Sequence, residues 1–385
     1  MHEYGGGASL IHGDSIYFSN FSDQQLYRQG WEDPAPTQLT QAEGFRFANG
    51  SVDTRRNRMI YVVEDHNVSG EPQNLIGAVD LETGKLTMLA KGHDFYSSPV
   101  ISPDGSRMAF MTWDHPNMPW DESTIWVTEL DEAGMPGEMI PVAGGKQGEQ
   151  KISVQQPQFS ATGELFYISD ESGYWNLYRE YSGQSVCPRE AEFGGPHWVF
   201  GMHHYEFLDS GKIICCYSEK NLDQLALLNP ETGELEDLDL PYTSIGNLSL
   251  SGNRLLTVAS SPTLFPEIIE IELSTKTIQT IKTSTALELD QAYLSVPETI
   301  EFPTAGNAVA HGFYYPPTNQ DFQGLDGETP PLIVMLHGGP TSATHAVLSF
   351  KTHYWTTRGF GVLDLNYRGS TGYGRAYQDE LIRQW

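Results

Sequence analysis

The sequence has few cysteines and no long apolar runs, and each absence excludes a class of protein. Three cysteines, Cys187, Cys215 and Cys216, stand in 385 residues. This odd, sparse count argues against a disulfide scaffold and favours a reducing compartment. No apolar run approaches the roughly 18 residues of a membrane span, and the N-terminus lacks the basic and apolar regions of a signal peptide. We therefore expect a cytoplasmic protein.

Basic residues are also scarce. The chain has 22 Lys and Arg against 50 Asp and Glu, which gives a formal charge of −28. An acidic surface of this size repels nucleic acid and anionic membranes, so neither is an expected partner. The hydrophobic content of 39% and the aromatic content of 11% indicate a globular protein. A chain of this length exceeds what one core usually organises, so two domains are expected.

Short alternating strands recur up to about residue 285. They include DSIYFSN, NRMIYVVE, SRMAFMTW, ELFYISD, KIICCYS and RLLTVAS. Each mixes β-branched or aromatic residues with polar ones at a period near two. Equivalent positions lie 42 to 57 residues apart: Phe18, Tyr61, Phe110, Tyr167, Cys215 and Thr257. This spacing is close to the ~40–50 residues of a four-stranded propeller blade.

Two segments share the pattern of a hairpin closed by glycine. AVDLETGKLTML and ALLNPETGELEDL place Gly84 and Gly233 in the turn, as in the outer hairpin of a blade. The sequence therefore predicts an all-β propeller over residues 1–285, with six units visible and seven blades in the complete protein. A β-sandwich or two small barrels is the alternative.

Residues 286–385 have a different pattern. The apolar run Leu332–Leu336 predicts a buried strand, and Val347, Phe350, Tyr354 and Trp355 are spaced for one face of a helix that ends at Gly359. A second strand lies in FGVLDLNYRG, and another helix begins in GYGRAYQDELIRQW. This alternation indicates the opening of an α/β domain with a parallel sheet.

The loop after the first of these strands reads His337-Gly338-Gly339-Pro340. Its backbone N–H groups can face a substrate oxygen, which would make the loop half of an acyl-transfer site. The structural alternative is a tight turn of no chemical consequence.

Two segments, LIVMLHGGPTS and YWTTRGFGVLDLNYRGSTGYGR, resemble the start of the catalytic domain of prolyl oligopeptidase-family serine peptidases, especially the acylaminoacyl-peptidase-like branch. HEYGGGA, WDHPNMPWDES, ESGYWNLYRE and EAEFGGPHWVFG are similar to the same branch. The resemblance covers nearly the whole chain. It implies a propeller before an α/β-hydrolase domain, an acyl-enzyme mechanism, short peptides admitted through the propeller, and no cofactor or metal. Family members often oligomerise, so a homo-oligomer is compatible with it.

The nucleophile motif of such enzymes, G-x-S-x-G, is absent from the sequence. The resemblance places this motif after the helix that begins at Tyr373. We therefore expect the sequence to be a fragment that lacks the Ser, Asp and His triad and is inactive alone. Ser370, in RGSTGYG, is rejected as nucleophile because the glycine two residues before it is missing.

The resemblance assigns one oxyanion-hole donor to the Gly339 N–H, with His337 and Gly338 shaping the loop. Pro340 has no N–H and cannot be the donor. Fixed donors of this kind contribute about 3–4 kcal/mol each to transition-state stabilisation.

Other patterns carry weaker hypotheses. Asp114, His115 and Asp121 lie between two tryptophans but match no metal-ligand spacing, so a loop between strands is expected there. His203 and His204 are adjacent and would diverge on a strand. Three alternatives to a peptidase stay open: a non-catalytic binding propeller, an esterase or lactonase, and a metal-dependent propeller enzyme.

Overall fold

A computed structural model describes residues 3–339 and 341–382. These residues form seven β-sheets that follow one another along the chain. The chain divides into two compact units. The first runs to Ser172 and includes 177–186 and 197–202, and the second contains 173–176, 187–196 and the chain from His203 onward.

The strands of the first unit form four sheets. The first sheet has the order β1-β2-β3-β4: Ser9–His12, Ser15–Ser19, Leu26–Gly30 and Thr37–Gln38. The second has the order β5-β6-β7-β8: Phe45–Asp53, Arg58–Asp65, Gln73–Asp80 and Leu86–Lys91. The third runs consecutively from β9 to β13: Phe95–Ile101, Arg107–Trp113, Thr124–Leu130, Pro136–Gln147 and Gln150–Ile152. The fourth contains β14, β15 and β16: Val154–Phe159, Leu165–Ser169 and Asn176–Arg179. The first residue of β16, Asn176, is assigned to the second unit.

The second unit contains three sheets. The fifth has the order β17-β18-β19-β20: Tyr205–Phe207, Ile213–Glu219, Leu222–Leu228 and Leu235–Leu238. In the sixth, β21 and β22 both pair with β23, followed by β24 and β25: Ser244–Ile245, Ser249–Ser251, Arg254–Ser261, Leu264–Glu272 and Thr277–Thr283. The seventh has the order β26-β27-β29-β28, with these four in chain order: Glu298–Pro303, Val309–Tyr315, Leu332–Leu336 and Gly361–Asn366.

Short helical segments complete the described part of the chain. Two α-helices, α1 and α2, lie in the second unit: Phe350–Thr356 and Arg375–Asp379. Three single-turn 3₁₀-helices connect strands: Thr54–Arg56, Gln291–Tyr293 and Ala305–Asn307. Within residues 3–339 and 341–382, no helix has the length and apolar character needed to cross a membrane.

The repeat predicted from strand spacing is confirmed. The six recurring segments are β2, β6, β10, β15, β18 and β23, and each is the second strand in the paired order of its sheet. β6 shows how completely such a strand is covered, because its neighbouring residues Met59, Ile60, Val62 and Val63 are all fully buried. Successive side chains point to opposite faces of a sheet. Both faces of this sheet are therefore packed.

The two predicted hairpins are also present, as β7–β8 and β19–β20. Gly84 and Gly233 adopt the left-handed conformation, with φ of +68° and +71°. The side chain of the residue that opens each turn folds back on the backbone. Asp80 Oδ1 accepts from the Thr83 N–H at 2.7 Å, and Asn229 Oδ1 accepts from the Glu231 N–H at 3.0 Å. The same local chemistry builds both turns.

The last sheet differs from the first six. β28 and β29 are parallel, whereas β27 pairs antiparallel with both β26 and β29. The predicted parallel arrangement is therefore found in one pair of strands. The sixth sheet ends at Thr283 and the seventh begins at Glu298. The domain boundary predicted at residue 285 falls between them and stays a prediction.

Two burial predictions in this region were wrong. Leu332, Val334 and Leu336 of β28 are 52–65% exposed, because only the opposite face of this strand, which carries Ile333 and Met335, packs on the core. Helix α1 is shorter than expected, and Phe350 and Tyr354 are exposed. Its buried residues are polar: Thr352, His353 and Thr356.

The two faces of β28 should respond differently to polar substitutions. Ile333 and Met335 pack on a core cluster that includes Phe313 and Val362. We expect the double variant Ile333→Ser with Met335→Ser to lose several kcal/mol, on the order of 3 kcal/mol or more, of its free energy of unfolding. Urea unfolding of the 385-residue chain measures this loss.

The matched variant replaces the exposed face: Leu332→Ser, Val334→Thr and Leu336→Ser. We expect its free energy of unfolding to stay within about 0.5 kcal/mol per substitution, and its binding of a hydrophobic dye to fall. Equal destabilisation by the two variants would contradict the alternation seen in β28.

Buried His353 connects α1 to two other segments. Its Nδ1 accepts from the Ser295 N–H at 3.3 Å, and its Nε2–H donates to the Pro262 carbonyl at 3.2 Å. Burial lowers the pKa of this imidazole below the ordinary value of 6.5. Protonation would place a second hydrogen against the Ser295 N–H, so the folded chain favours the neutral ring.

This neutral histidine should make stability depend on pH. Its contribution is complete above the unfolded pKa of about 6.5 and is lost as pH falls toward the lower folded pKa, because the unfolded chain takes up the proton first. We expect the wild type to lose more free energy of unfolding between pH 7.5 and pH 5 than His353→Gln. His115→Gln is the control, since the His115 side chain is 72% exposed. Identical pH dependence of wild type and His353→Gln in urea unfolding would contradict the expectation.

Candidate functional site

The candidate site lies in the second unit, where β28 and β29 end side by side. In this parallel pair Leu336 is opposite Leu365, so both strands emerge at the same edge of the sheet. The loop from His337 follows β28, and the glycine-rich loop from Tyr367 to Gly374 follows β29. Ligand sites of open α/β sheets form at such carboxyl ends.

His337 is the centre of the contacts between the two loops. Its Nε2 lies 2.8 Å from Ser370 Oγ, and its Nδ1 lies 2.9 Å from the Gly338 carbonyl oxygen. Its ring stacks on Tyr367, with a centroid separation of 4.4 Å and an interplanar angle of 15°. The imidazole is therefore fixed at both nitrogens and on one face.

Gly339 has a backbone conformation that only glycine adopts without strain. Its φ is +124°, and a Cβ built there would lie 3.0 Å from the Ser342 Cβ. A bare N–H in such a loop is suited to approach a substrate oxygen, and the assignment of Gly339 as an oxyanion donor stays a prediction. Pro340, the fourth residue of the motif, lies outside the described residues.

Ser370 and His337 lie at the distance of a nucleophile and its base. Ser370 is, however, fully buried, and its hydroxyl also donates to the Tyr367 carbonyl at 2.7 Å. Its own N–H donates to the same carbonyl at 2.9 Å. A serine held inside a turn in this way has no open face for a substrate, which agrees with the sequence argument against a nucleophilic role.

The glycine-rich loop is anchored at several points. The Thr371 N–H donates to the Ser342 carbonyl at 2.9 Å, which ties this loop to the one after β28. Asn221, in the turn between β18 and β19, donates its side-chain amide to the Thr371 carbonyl at 3.0 Å. Glu192 accepts from the Gly374 N–H at 2.8 Å and from the Trp175 N–H at 2.9 Å. These contacts tie the loop to several other segments of the second unit.

Half-buried aromatic groups pack together at the end of the loop. Tyr373 stacks on His311 with a centroid separation of 4.1 Å. Burial raises the pKa values of Tyr373 and Tyr377 and lowers that of His311. All three side chains are therefore uncharged near neutral pH. These three side chains therefore contribute no charge to the loop, and the charged groups near it include the Glu192 carboxylate and the Lys220–Glu301 ion pair, whose atoms are 2.6 Å apart.

Sequence reasoning located the loop of His337, Gly338 and Gly339 but missed its partners. The structure adds Ser370, Tyr367, Asn221 and Glu192 to the site. One signal was available: RGSTGYG follows a strand predicted to run beside LIVML, and loops after neighbouring parallel strands meet. For Asn221 and Glu192 we find no local signal in the sequence.

The other candidate clusters lie elsewhere. His93 Nδ1 pairs with Asp114 at 2.7 Å, and His115 Nδ1 pairs with Asp94 at 3.0 Å. The carboxylate of Asp121 accepts from the Met118 N–H. His203 is exposed and pairs with Glu206, whereas burial lowers the pKa of its neighbour His204 to about 4. Among residues 3–339 and 341–382, no group of three or more His, Cys, Asp or Glu side chains is arranged to hold a metal ion.

Comparison with known proteins agrees with this architecture. The model of the prolyl oligopeptidase family matches residues 346–385. The structure of a puromycin-hydrolysing peptidase from Mycobacterium tuberculosis is 33% identical, with a TM-score of 0.89, and the match covers 100% of this chain and 62% of that one. A crystal structure of puromycin hydrolase is also 33% identical, with a TM-score of 0.84 over 95% of this chain and 58% of that one.

Among curated relatives, dipeptidyl-peptidase 5 of Schizosaccharomyces pombe is 21% identical over 345 residues. The match covers 86% of this chain and 41% of that protein. The chain thus spans 41–62% of the length of these three relatives. The six consecutive sheets form a β-propeller, as the sequence predicted, and the seventh sheet follows it. The chain belongs to the prolyl oligopeptidase family.

Proposed function

We propose that the protein to which this chain belongs hydrolyses peptide bonds of short peptides by acyl transfer to a serine. In this mechanism the serine attacks the carbonyl carbon, the amine leaves, and water then cleaves the acyl-enzyme. The chain described here contributes the oxyanion loop. Residues 286–385 would be the start of an α/β-hydrolase domain, and the propeller would admit short peptides to an enclosed site in the cytoplasm.

One observation carries this proposal. The Gly339 peptide lies at the carboxyl edge of the parallel pair β28–β29 in a conformation reserved for glycine, and His337 holds the loop that bears it through the Ser370 hydroxyl and the Gly338 carbonyl. A preorganised N–H lowers the barrier to acyl transfer because the oxyanion develops only in the transition state. A turn of no chemical consequence would not need so many contacts to one histidine.

The substrate class follows from the relatives. Two solved structures that match 100% and 95% of this chain at 33% identity are described as a puromycin-hydrolysing peptidase and a puromycin hydrolase. We therefore propose amide rather than ester bonds as the substrate, with puromycin as a probe. We also propose that the 385-residue chain forms no acyl-enzyme by itself, because it contains no G-x-S-x-G motif and because its best-placed serine, Ser370, is buried.

Turnover by the native protein isolated from its source cells tests the proposal. We expect hydrolysis of peptide anilides and puromycin, and labelling of one serine by a fluorophosphonate probe. The 385-residue chain, assayed in parallel, should neither turn over substrate nor be labelled. Stoichiometric labelling of this chain would overturn its proposed inactivity.

Two other outcomes would replace the proposed function. Turnover of simple esters without turnover of anilides would indicate an esterase or lactonase. A folded native protein with neither activity nor labelling would indicate a non-catalytic binding protein.

A further inference from the structure

A chain of three contacts leads from Ser370 to the loop after β28. The Ser370 hydroxyl contacts His337 Nε2 at 2.8 Å, and His337 Nδ1 contacts the Gly338 carbonyl oxygen at 2.9 Å. That carbonyl belongs to the peptide whose N–H is the Gly339 N–H. A peptide group is planar and trans, so its C=O and N–H point in opposite directions. Fixing the carbonyl therefore fixes the direction of the N–H.

We propose that Ser370 is a positioning residue: through His337 it holds the Gly338–Gly339 peptide so that the Gly339 N–H points away from the imidazole. This proposal deepens the proposed function, since it concerns the same loop. It gives His337 and Ser370 a role that requires neither of them to react with substrate.

The hydrogen bonds define which nitrogen of the ring carries hydrogen. A carbonyl oxygen can only accept, so the contact with Gly338 places hydrogen on Nδ1. Nε2 of the neutral ring then accepts from the Ser370 hydroxyl, whose hydrogen is shared with the Tyr367 carbonyl at 2.7 Å. The Gly338 carbonyl thus selects the Nδ1–H tautomer, whereas the Ser370 hydroxyl, which can donate or accept, contacts Nε2 without selecting a tautomer by itself.

The position of Ser370 is itself well fixed. The side chain is fully buried, and its backbone N–H closes the turn onto Tyr367. The next residue, Thr371, is bound on both sides, with its N–H donating to the Ser342 carbonyl and its carbonyl accepting from Asn221. A hydroxyl on such a support can hold a neighbouring loop, because little freedom remains in the support itself.

The tautomer of His337 tests the proposal without any assay of activity. Two-bond ¹H–¹⁵N spectra of the ¹⁵N-labelled 385-residue chain at pH 8 report which ring nitrogen carries hydrogen, and His337→Gln identifies the signal by its loss. We expect Nδ1–H in the wild type. In Ser370→Ala, Nε2 loses its hydrogen-bond partner in the glycine-rich loop, so we expect the Nε2 signal of His337 and the Gly339 amide signal to shift.

Ser295→Ala is the matched control. Ser295 is 1% exposed, and its hydroxyl donates to the Pro316 carbonyl at 2.7 Å, the same length as the Ser370 bond to Tyr367. It should lower stability in a similar way and leave both His337 and Gly339 signals unchanged. Ser370→Cys, whose thiol is a weaker donor, should shift the His337 and Gly339 signals by an intermediate amount. This variant replaces Ser370→Ala in the test if Ser370→Ala does not fold.

Two results would overturn the proposal. One is an Nε2–H tautomer in the wild type, which needs no variant to observe. The other is a folded Ser370→Ala whose His337 and Gly339 signals match those of the wild type.

Activity of the native protein separates this proposal from the proposed function. If Gly339 is the oxyanion donor, Ser370→Ala should lower kcat about tenfold with KM within twofold, and Ser295→Ala should change neither. The expected spectra with unchanged kcat would support the positioning role and overturn the oxyanion role of Gly339.

Discussion

Replacing Gly339 by alanine in the native protein is expected to lower kcat for a peptide anilide by about 10²–10³-fold, with little change in KM. The residue keeps its N–H but not its conformation, because φ of +124° is strained for any residue with a side chain. The new Cβ would also lie 3.0 Å from the Ser342 Cβ. Relief of this strain and of the Cβ–Cβ contact would rotate the peptide and move the N–H of residue 339. The loss falls on kcat because the oxyanion exists only in the transition state.

The neighbouring glycine provides the control. A Cβ built on Gly338 meets no atom within 4 Å, and its φ lies outside the left-handed region. Gly338→Ala should therefore keep kcat within a few-fold of the wild type. Equal losses in the two variants would show that the loop responds to any added side chain, and would contradict the specific role of the Gly339 N–H.

Replacing Asp53 by alanine is expected to have the largest effect on stability, a loss of about 3–5 kcal/mol in the free energy of unfolding. The Asp53 side chain is fully buried in the first unit, where one oxygen accepts from Arg58 at 2.9 Å and from Arg56 at 3.1 Å. These arginines also donate to the carbonyls of Gly134 and Gly105, so they tie the second sheet to turns of the third. Removing the carboxylate leaves two nearly buried guanidinium groups without their counter-charge.

A second substitution shows whether the unpaired charge causes this loss. In urea unfolding, Asp53→Ala with Arg58→Met should be more stable than the sum of the single effects predicts, by about 0.5–3 kcal/mol. Glu236→Ala is the exposed comparison: its carboxylate lies 2.6 Å from Lys276, but both side chains are about half exposed, so its loss should be small. If Asp53→Ala lost no more free energy of unfolding than Glu236→Ala, the buried contacts of Asp53 with Arg56 and Arg58 would not be a major source of stability in the first unit.

Local patterns were sufficient to predict the strands and turns of this protein. Six segments with alternating polarity became the second strand of six successive sheets, and Gly84 and Gly233 formed the turns expected of them. These features depend on the backbone within a few residues. Neighbouring residues therefore determine the period of the strands and the geometry of the turns.

Some backbone features had only an unspecific local signal. Asn49, Ser98 and Gln156, in the first strands of the second, third and fourth sheets, adopt left-handed conformations that non-glycine residues rarely take. Asn49 Oδ1 accepts from the Ser98 N–H at 2.6 Å, so a contact between sheets accompanies this geometry. Asn49, Ser98 and Gln156 are followed by Gly50, Pro99 and Pro157, which mark irregular strands but do not specify a left-handed residue.

The candidate site also combines features that neighbouring residues determine with features that depend on distant segments. Sequence alone located His337, Gly338 and Gly339, because an apolar run that ends in His-Gly-Gly is a local pattern. It did not find Ser370 as the partner of His337, nor Glu192 as the partner of Gly374, 182 positions away. Such pairs form only when the register of β28 and β29 and the packing of the second unit bring them together.

By itself, therefore, the sequence determined the periodicity of the strands, the turns between them and the position of the loop that contains His337, Gly338 and Gly339. Only the tertiary structure decided which face of β28 is covered, which residues of α1 are buried and which hydroxyl holds His337. The physical reason is the range of each effect. Backbone conformation responds to adjacent residues, whereas burial and the choice of hydrogen-bond partner depend on what distant segments place opposite a side chain.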